Sequence, residues 1–214
     1  MGMVVMALGG LIGAAASIYS WPEMADTLEE ITGPSMNPST ATRLDIAVGL
    51  PIVMCALAIF PWLGIRLDKW IGRHIPGYQG RTIGSNRARG WSTAWIGFAV
   101  VLVTLHLSLV ATMAGYDVPI LKAISVTTGL LLILLGSALP LSRYEPNPDS
   151  SQDLHDFADR LGRANRPAAF SFVGTGVAVM ALGLLSPVAA LAIAIIAMLA
   201  IFGVSYLFAL GVGS

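Results

Sequence analysis

The sequence predicts an all-α integral membrane protein: a six-transmembrane-helix bundle with short amphipathic interfacial helices. Three observations carry that prediction. The 214 residues are 56% apolar and 11% charged, against about 45–50% and about 25% in a soluble domain. Charge is costly in hydrocarbon, so its scarcity points to lipid as the main solvent. The apolar residues gather into runs long enough to cross a bilayer. Between two such runs lies a loop, Arg66 to Arg89, that holds six of the twelve Lys and Arg residues and one acid, Asp68. A short loop this basic stays cytoplasmic and orients every other segment.

The first span covers residues 3–21. Met3 to Trp21 is 19 residues without a charge, about 28 Å as helix against a ~30 Å hydrocarbon core. No Lys or Arg precedes it, so the positive region of a signal peptide is absent. Gly9, Gly13 and Ser17 form a small-residue face suited to close helix packing inside the bundle. An outer loop, 22–44, follows. Ser20 and Glu23 fit a capping box, Pro22 suits a first helical turn, and Met24, Leu28 and Ile31 make one apolar stripe. The expectation is a short amphipathic helix ended by Gly33-Pro34. It carries Glu23, Asp26, Glu29 and Glu30, and its only basic follower is Arg43.

The second span is 46–65, with Pro51 and Pro61 expected to kink or end it. The basic inner loop, 66–92, is bracketed by Trp62, Trp70, Trp91 and Trp95, rings suited to a headgroup boundary. The third span, 93–115, holds His106 near its middle. An ionisable residue at that depth is a functional candidate, and its structural alternative is a neutral imidazole bonded to a Ser or Thr on an adjacent helix. Tyr116-Asp117 makes a tight outer turn. The fourth span is 118–141, with Lys122 reaching for the headgroups.

The second inner loop, 142–167, carries Arg143, Arg160, Arg163 and Arg166. Ser150 and Asp153 resemble a capping box, and Leu154, Phe157, Ala158 and Leu161 form a stripe, which predicts an interfacial helix on the cytoplasmic leaflet. Spans 168–185 and 188–210 make a last hairpin turned at Ser186-Pro187. Ala190, Ala194, Ala197 and Ala200 give the sixth span a small-residue face. The two inner loops hold ten of the twelve basic residues, so both termini are placed in the cytoplasm. Residues 1–214 read as a single membrane domain.

No catalytic, cofactor-binding or metal-ligating set emerges. The only cysteine, Cys55, sits inside a span, and no G-x-S-x-G elbow is present. His74, His106 and His155 lie apart without HExxH or CxxC companions, and there is no P-loop and no GxGxxG. Asp153, Asp156 and Asp159 stand at i, i+3, i+6, a spacing from which a Mg²⁺-dependent intramembrane transferase could be imagined. From Asp153 to Asp159 a helix turns through about 600°, so a solvated polar face accounts for them better. Balanced charge, twelve against twelve, argues against a nucleic-acid partner.

The order of short motifs resembles the SdpI-type bacterial toxin-immunity and signalling proteins. Trp21-Pro22-Glu23 stands where that family has a Leu-Pro-Asp-like turn after its first span. Leu50-Pro51, then Phe60-Pro61 and Arg66, match its second span and the exit into a basic loop. Leu105-His106 matches a Leu-His pair in its third span. Gly136-Ser-Ala-Leu-Pro140 with Glu145-Pro146-Asn147 matches the end of its fourth. The outer loop has Gly33-Pro34 and no His, where the family has a His-aromatic pair. The family's Gly-Ile-Arg-Thr-Pro-Trp-Thr block is replaced by Pro148-Asp149-Ser150-Ser151. The resemblance implies a non-enzymatic protein of the bacterial inner membrane without cofactors, acting through protein contacts. Its partners would be membrane lipids and a protein in the membrane or a peptide at the outer face. Candidate contact residues are Glu23, Asp26, Glu29 and Glu30 outside and Arg73, Arg81, Arg87 and Arg89 inside. The alternative role is an accessory structural subunit of a larger membrane complex.

Overall fold

The computed structural model describes the backbone of residues 2–27, 42–74, 85–141 and 151–210, and their side chains except at 60–62, 64, 65, 67–74, 85–89, 91 and 154. Among the described residues the α-helices are α1 (Gly2–Ser20), α2 (Arg43–His74), α3 (Ser85–Met113), α4 (Ile120–Ala138), α5 (Gln152–Leu185) and α6 (Pro187–Ala209). Among the described residues five stretches are long and apolar enough to cross a membrane: Gly2–Glu23, Ser92–Met113, Ile120–Leu141, His155–Leu185 and Pro187–Ala209. The chain divides into two compact units, Met1–Thr82 with Phe98–Ile124, and Ile83–Gly97 with Ser125–Ser214.

Three expectations are corrected. The loop predicted over 66–92 is helical at both ends, because α2 runs to His74 and α3 begins at Ser85. Nothing between Arg66 and His74 breaks a helix; the first strong stop is Pro76-Gly77. Pro51 and Pro61 lie within α2 without ending it. The interfacial helix predicted within 142–167 is the first part of α5, which passes through Pro167 into the fifth predicted span. Proline there removes one bond, to the Arg163 carbonyl, and the helix on either side carries the chain through. The residue capping α5 is Ser151, with no side-chain cap bond; Ser150 lies outside the described residues. The third correction concerns the predicted helix after the first span. Ser20 belongs to the last turn of α1 and makes no side-chain cap bond. Trp21–Glu23 is one 3-10 turn, and Met24 is already extended at φ −74°, ψ 132°. Residues 28–41, with Leu28 and Ile31, lie outside the described residues.

In the first unit α1 packs on α2. What α1 buries is Gly2, Met6, Gly9, Gly10, Gly13 and Ser17; what it exposes includes Val4, Leu8, Leu11, Ile12 and Ile18. Apart from Met6, small residues therefore face inward and large apolar ones outward. A methyl group on Gly9 would sit 2.6 Å from Met54 Cε and 2.8 Å from Val103 Cγ2, so glycine here sets how closely three helices meet. Cys55, placed inside a span by the sequence, is exposed on α2. At its carboxyl end α3 closes with Gly115 at φ +85°, where the amides of Gly115 and Tyr116 bond the carbonyls of Thr112 and Ala111. That pair of bonds is a Schellman motif, and the left-handed residue it needs is the glycine.

The start of α2 is capped reciprocally. The Thr42 amide and hydroxyl donate to Asp45 Oδ2 at 2.9 and 2.8 Å, and the Asp45 amide donates to Thr42 Oγ1 at 3.3 Å. These bonds favour the carboxylate and hold the Asp45 pKa below its ordinary 3.8. A depressed folded value means the cap contributes fully above the ordinary pKa and is lost as pH falls through the lower one. Thr42→Ala and Asp45→Asn are therefore each expected to lower the melting temperature slightly at pH 7. For Asp45→Asn the difference from the unaltered protein should shrink as acid protonates Asp45, whereas for Thr42→Ala part of it should remain, because the Thr42 hydroxyl also accepts from the Asp45 amide. Thermal melts in mild detergent along a falling pH series check this.

In the second unit α5 packs on α6 and on the 3-10 turn Leu139–Leu141. Its core is Leu132, Phe172, Val179, Ala190 and Ala194. The α4–α5 contact runs along glycines. Methyl groups on Gly129 and Gly176 would each lie 2.6 Å from the other's carbonyl oxygen, and one on Gly136 would lie 2.7 Å from the Ala169 carbonyl. The hairpin turns at Ser186, between α5 and α6, and the Ser125 hydroxyl donates to the Pro187 carbonyl at 3.1 Å. On α6, Ala190 and Ala194 are buried and Ala200 is exposed, so the predicted alanine face is used only over its first two turns.

Candidate functional site

Two places in the first unit bring candidate residues together. The deeper is His106, wholly buried on α3. Its Nε2 lies 3.0 Å from the Gly13 carbonyl oxygen and 3.0 Å from Ser17 Oγ, both on α1. A carbonyl cannot donate, so Nε2 carries the proton and shares it between the two oxygens. Ser17 is thus a hydroxyl on an adjacent helix of the kind that the structural alternative for His106 named. Nδ1 is left as a buried acceptor with no partner among the described residues, in surroundings where an unmade bond costs about 1–3 kcal/mol. Gly13 makes the approach possible: a methyl group there would lie 2.8 Å from His106 Cδ2.

The second place is the strap Trp21–Thr27. Met24 is buried against Ile46, Val110 and Met113. The Ala25 amide bonds the Met113 carbonyl at 2.9 Å, and the Arg43 amide bonds the Asp26 carbonyl at 3.0 Å. Thr27 pairs with Thr42 in a single antiparallel bridge. Arg43 Nε stands 3.3 Å from Asp26 Oδ1, and its guanidinium lies 4.8 Å from the centre of the Trp21 ring. The strap is pinned to the start of α2 and the end of α3 by backbone bonds and a buried methionine; the exposed ion pair itself adds little.

The other candidates fall differently. Glu23 is exposed in the 3-10 turn. Asp26 is engaged with Arg43, so it is not a free contact acid. Glu29, Glu30 and Arg81 lie outside the described residues; Arg73 is on α2 and Arg87 and Arg89 are on α3, without described side chains. Asp153, Asp156 and Asp159 are exposed along the first turns of α5, where Gln152 Nε2 donates to Asp156 Oδ1 at 3.1 Å. Among the described residues no three His, Cys, Asp or Glu side chains are grouped to hold a metal ion. The reading missed the Thr42–Asp45 box, although its T-x-x-D pattern is as plain as the two boxes it named. It also missed the glycines at 129, 136, 176 and 183, whose seven-residue spacing was the available signal.

No family model matches the chain, and neither the known proteins nor the solved structures searched show a match to it.

Proposed function

We propose that this is a six-span integral membrane protein, both ends in the cytoplasm, that acts without catalysis through contacts with a protein or peptide partner at its outer face, in the manner of the SdpI-type proteins it resembles. The observation that carries the membrane reading is the inside-out packing of α1, with glycine and serine inward and Val4, Leu8, Leu11, Ile12 and Ile18 outward. In water each of those side chains forgoes about 1.5–3 kcal/mol of burial, whereas lipid covers them at no cost and small residues bring the helices close. The span beyond the five apolar stretches is the second in chain order, α2, whose Ile46 to Ile65 carries no charge. Arginine placement supports the orientation. Arg43, a basic residue on the outer side, has its charge met by Asp26 and its face covered by Trp21. The acidic residues that follow the strap in the sequence, Glu29 and Glu30, meet a cationic partner.

Single-cysteine labelling tests the topology. In a Cys55→Ala background, Arg73→Cys and Arg163→Cys should both react with an impermeant maleimide only after the cells are opened. Reaction of either one in intact cells overturns the arrangement. For the partner, Glu29→Lys with Glu30→Lys should reduce cross-linking to an outer protein at least tenfold while leaving the protein in the membrane; unchanged cross-linking counts against an acidic contact.

One observation favours a second reading, an accessory subunit of a larger assembly. Only 11% of the α6 span is buried, against 33% of each of the other four, which leaves most of an apolar helix for neighbours. Mild-detergent purification followed by mass spectrometry should then show a stoichiometric companion.

A further inference from the structure

A cavity of about 420 Å³ opens between α5 and the turn Leu139–Leu141, walled by Pro140, Gly162, Arg163, Asn165 and Arg166. Beside it a groove of about 400 Å³ runs between α5 and α6. Its lining includes Ala168, Ala200, Ile201, Val204 and Phe208, and Arg163 belongs to both. Ser205, also in the groove, spends its hydroxyl on the Ile201 carbonyl at 2.7 Å, so apart from the Ser171 hydroxyl the groove beyond Arg163 is apolar. Arg163 and Arg166 are exposed and have no ion-pair partner among the described residues. The acids of α5, Asp153, Asp156 and Asp159, line neither space.

Depth along the helix agrees with the chemistry. At 1.5 Å per residue, Arg163 stands about 33 Å and Arg166 about 28 Å from Leu185, where α5 ends, so both fall near one face of a ~30 Å hydrocarbon layer. The groove lies on the hydrocarbon side of them. Two planar cations that can grip phosphate oxygens in pairs, directly above an apolar slot, complement one amphiphile with an anionic head.

We infer that this is a binding site for one anionic phospholipid, its phosphate between Arg163 and Arg166 and one acyl chain along the α5–α6 groove. It rests on the membrane reading above and adds a ligand that does not depend on the outer partner. Lipid held there ties α5, α6 and the Leu139–Leu141 turn together at the cytoplasmic surface.

The test is native mass spectrometry of the full chain in mild detergent, titrated with dioleoyl phosphatidylglycerol, dioleoyl phosphatidylcholine or inorganic phosphate. Phosphatidylglycerol should be retained about tenfold more than phosphatidylcholine. Arg163→Gln with Arg166→Gln should bring the two to parity. Arg160→Gln, whose Nε is turned to the Asp156 carbonyl at 3.4 Å, should leave the preference intact. Ala200→Phe, which fills the groove, should weaken retention of both lipids. Equal retention by the unaltered protein, a preference that survives the double variant, or full displacement by phosphate alone each overturns the lipid site. Alkaline extraction of the source membranes separates the two ideas. Release of the unaltered protein sinks the membrane reading, while retention without lipid preference sinks only the site.

Discussion

Gly176→Ala should lower the stability of the second unit by about 3 kcal/mol, at the upper end of the usual cost of overpacking, whereas Gly174→Ala, two residues away on the same helix, should leave it unchanged or raise it slightly. At Gly176 the added carbon would lie 2.6 Å from the Gly129 carbonyl oxygen and 3.0 Å from the Ile133 nitrogen. Both are backbone atoms of α4 and cannot swing aside, so the helices must separate. Separation there also loosens Gly136 against Ala169 and Gly183 against Ser125, which lie in the same α4–α5 seam. At Gly174 nothing lies within 4 Å, so the methyl group brings only the lower backbone entropy of alanine in a helix, worth about 0.5–1 kcal/mol. Melting curves or denaturant titrations in mild detergent should show a large loss for Gly176→Ala and none for Gly174→Ala. Equal shifts would mean that glycine content, not contact, governs the seam.

That seam also shows how much could be read beforehand. Hydropathy and the hairpin at Ser186-Pro187 were legible because each is local: a run without charge, a proline after a small residue. The ends of α2, α3 and α5 were not, since a charged run reads as a loop when lipid is assumed to bound every helix, and nothing local forbids a helix from projecting past the bilayer. Met24 fits a helical stripe equally well as part of a pinned strap; the choice was made by distant partners, the Met113 carbonyl and the buried Val110. Capping patterns had the same defect. Ser20 and Thr42 carry the same signal, but Ser20 was already inside α1, so only Thr42 was free to cap. His106 was legible as a class, a buried imidazole needing a hydroxyl, while its selection of Ser17 and Gly13 required knowing that α1 crosses α3 at a glycine.

The His106 node yields the second large effect, and it is best measured as a cycle. His106→Ala removes a wholly buried ring and should cost about 2 kcal/mol, near the low end for large-to-small changes because lipid supplies no hydrophobic transfer term. Ser17→Ala should cost about 0.6 kcal/mol, an average interhelical hydrogen bond in a bilayer. Gly13→Ala sets a methyl group 2.8 Å from His106 Cδ2 and 3.2 Å from Nε2. The ring must shift and lose both 3.0 Å contacts, at about 1–3 kcal/mol. With the ring gone the same methyl group enters vacated space. Gly13→Ala with His106→Ala should therefore cost less than the sum of the singles by about 1–2 kcal/mol, the size expected for residues in direct contact. Additive costs would show that α1 and α3 do not meet through this pair. His106→Gln separates support from function. A glutamine amide can still donate to the Gly13 carbonyl, so stability close to the unaltered protein together with intact cross-linking to the outer partner makes the imidazole a structural peg. Unaltered stability with the cross-link lost would instead give the unpaired Nδ1 a part in the response.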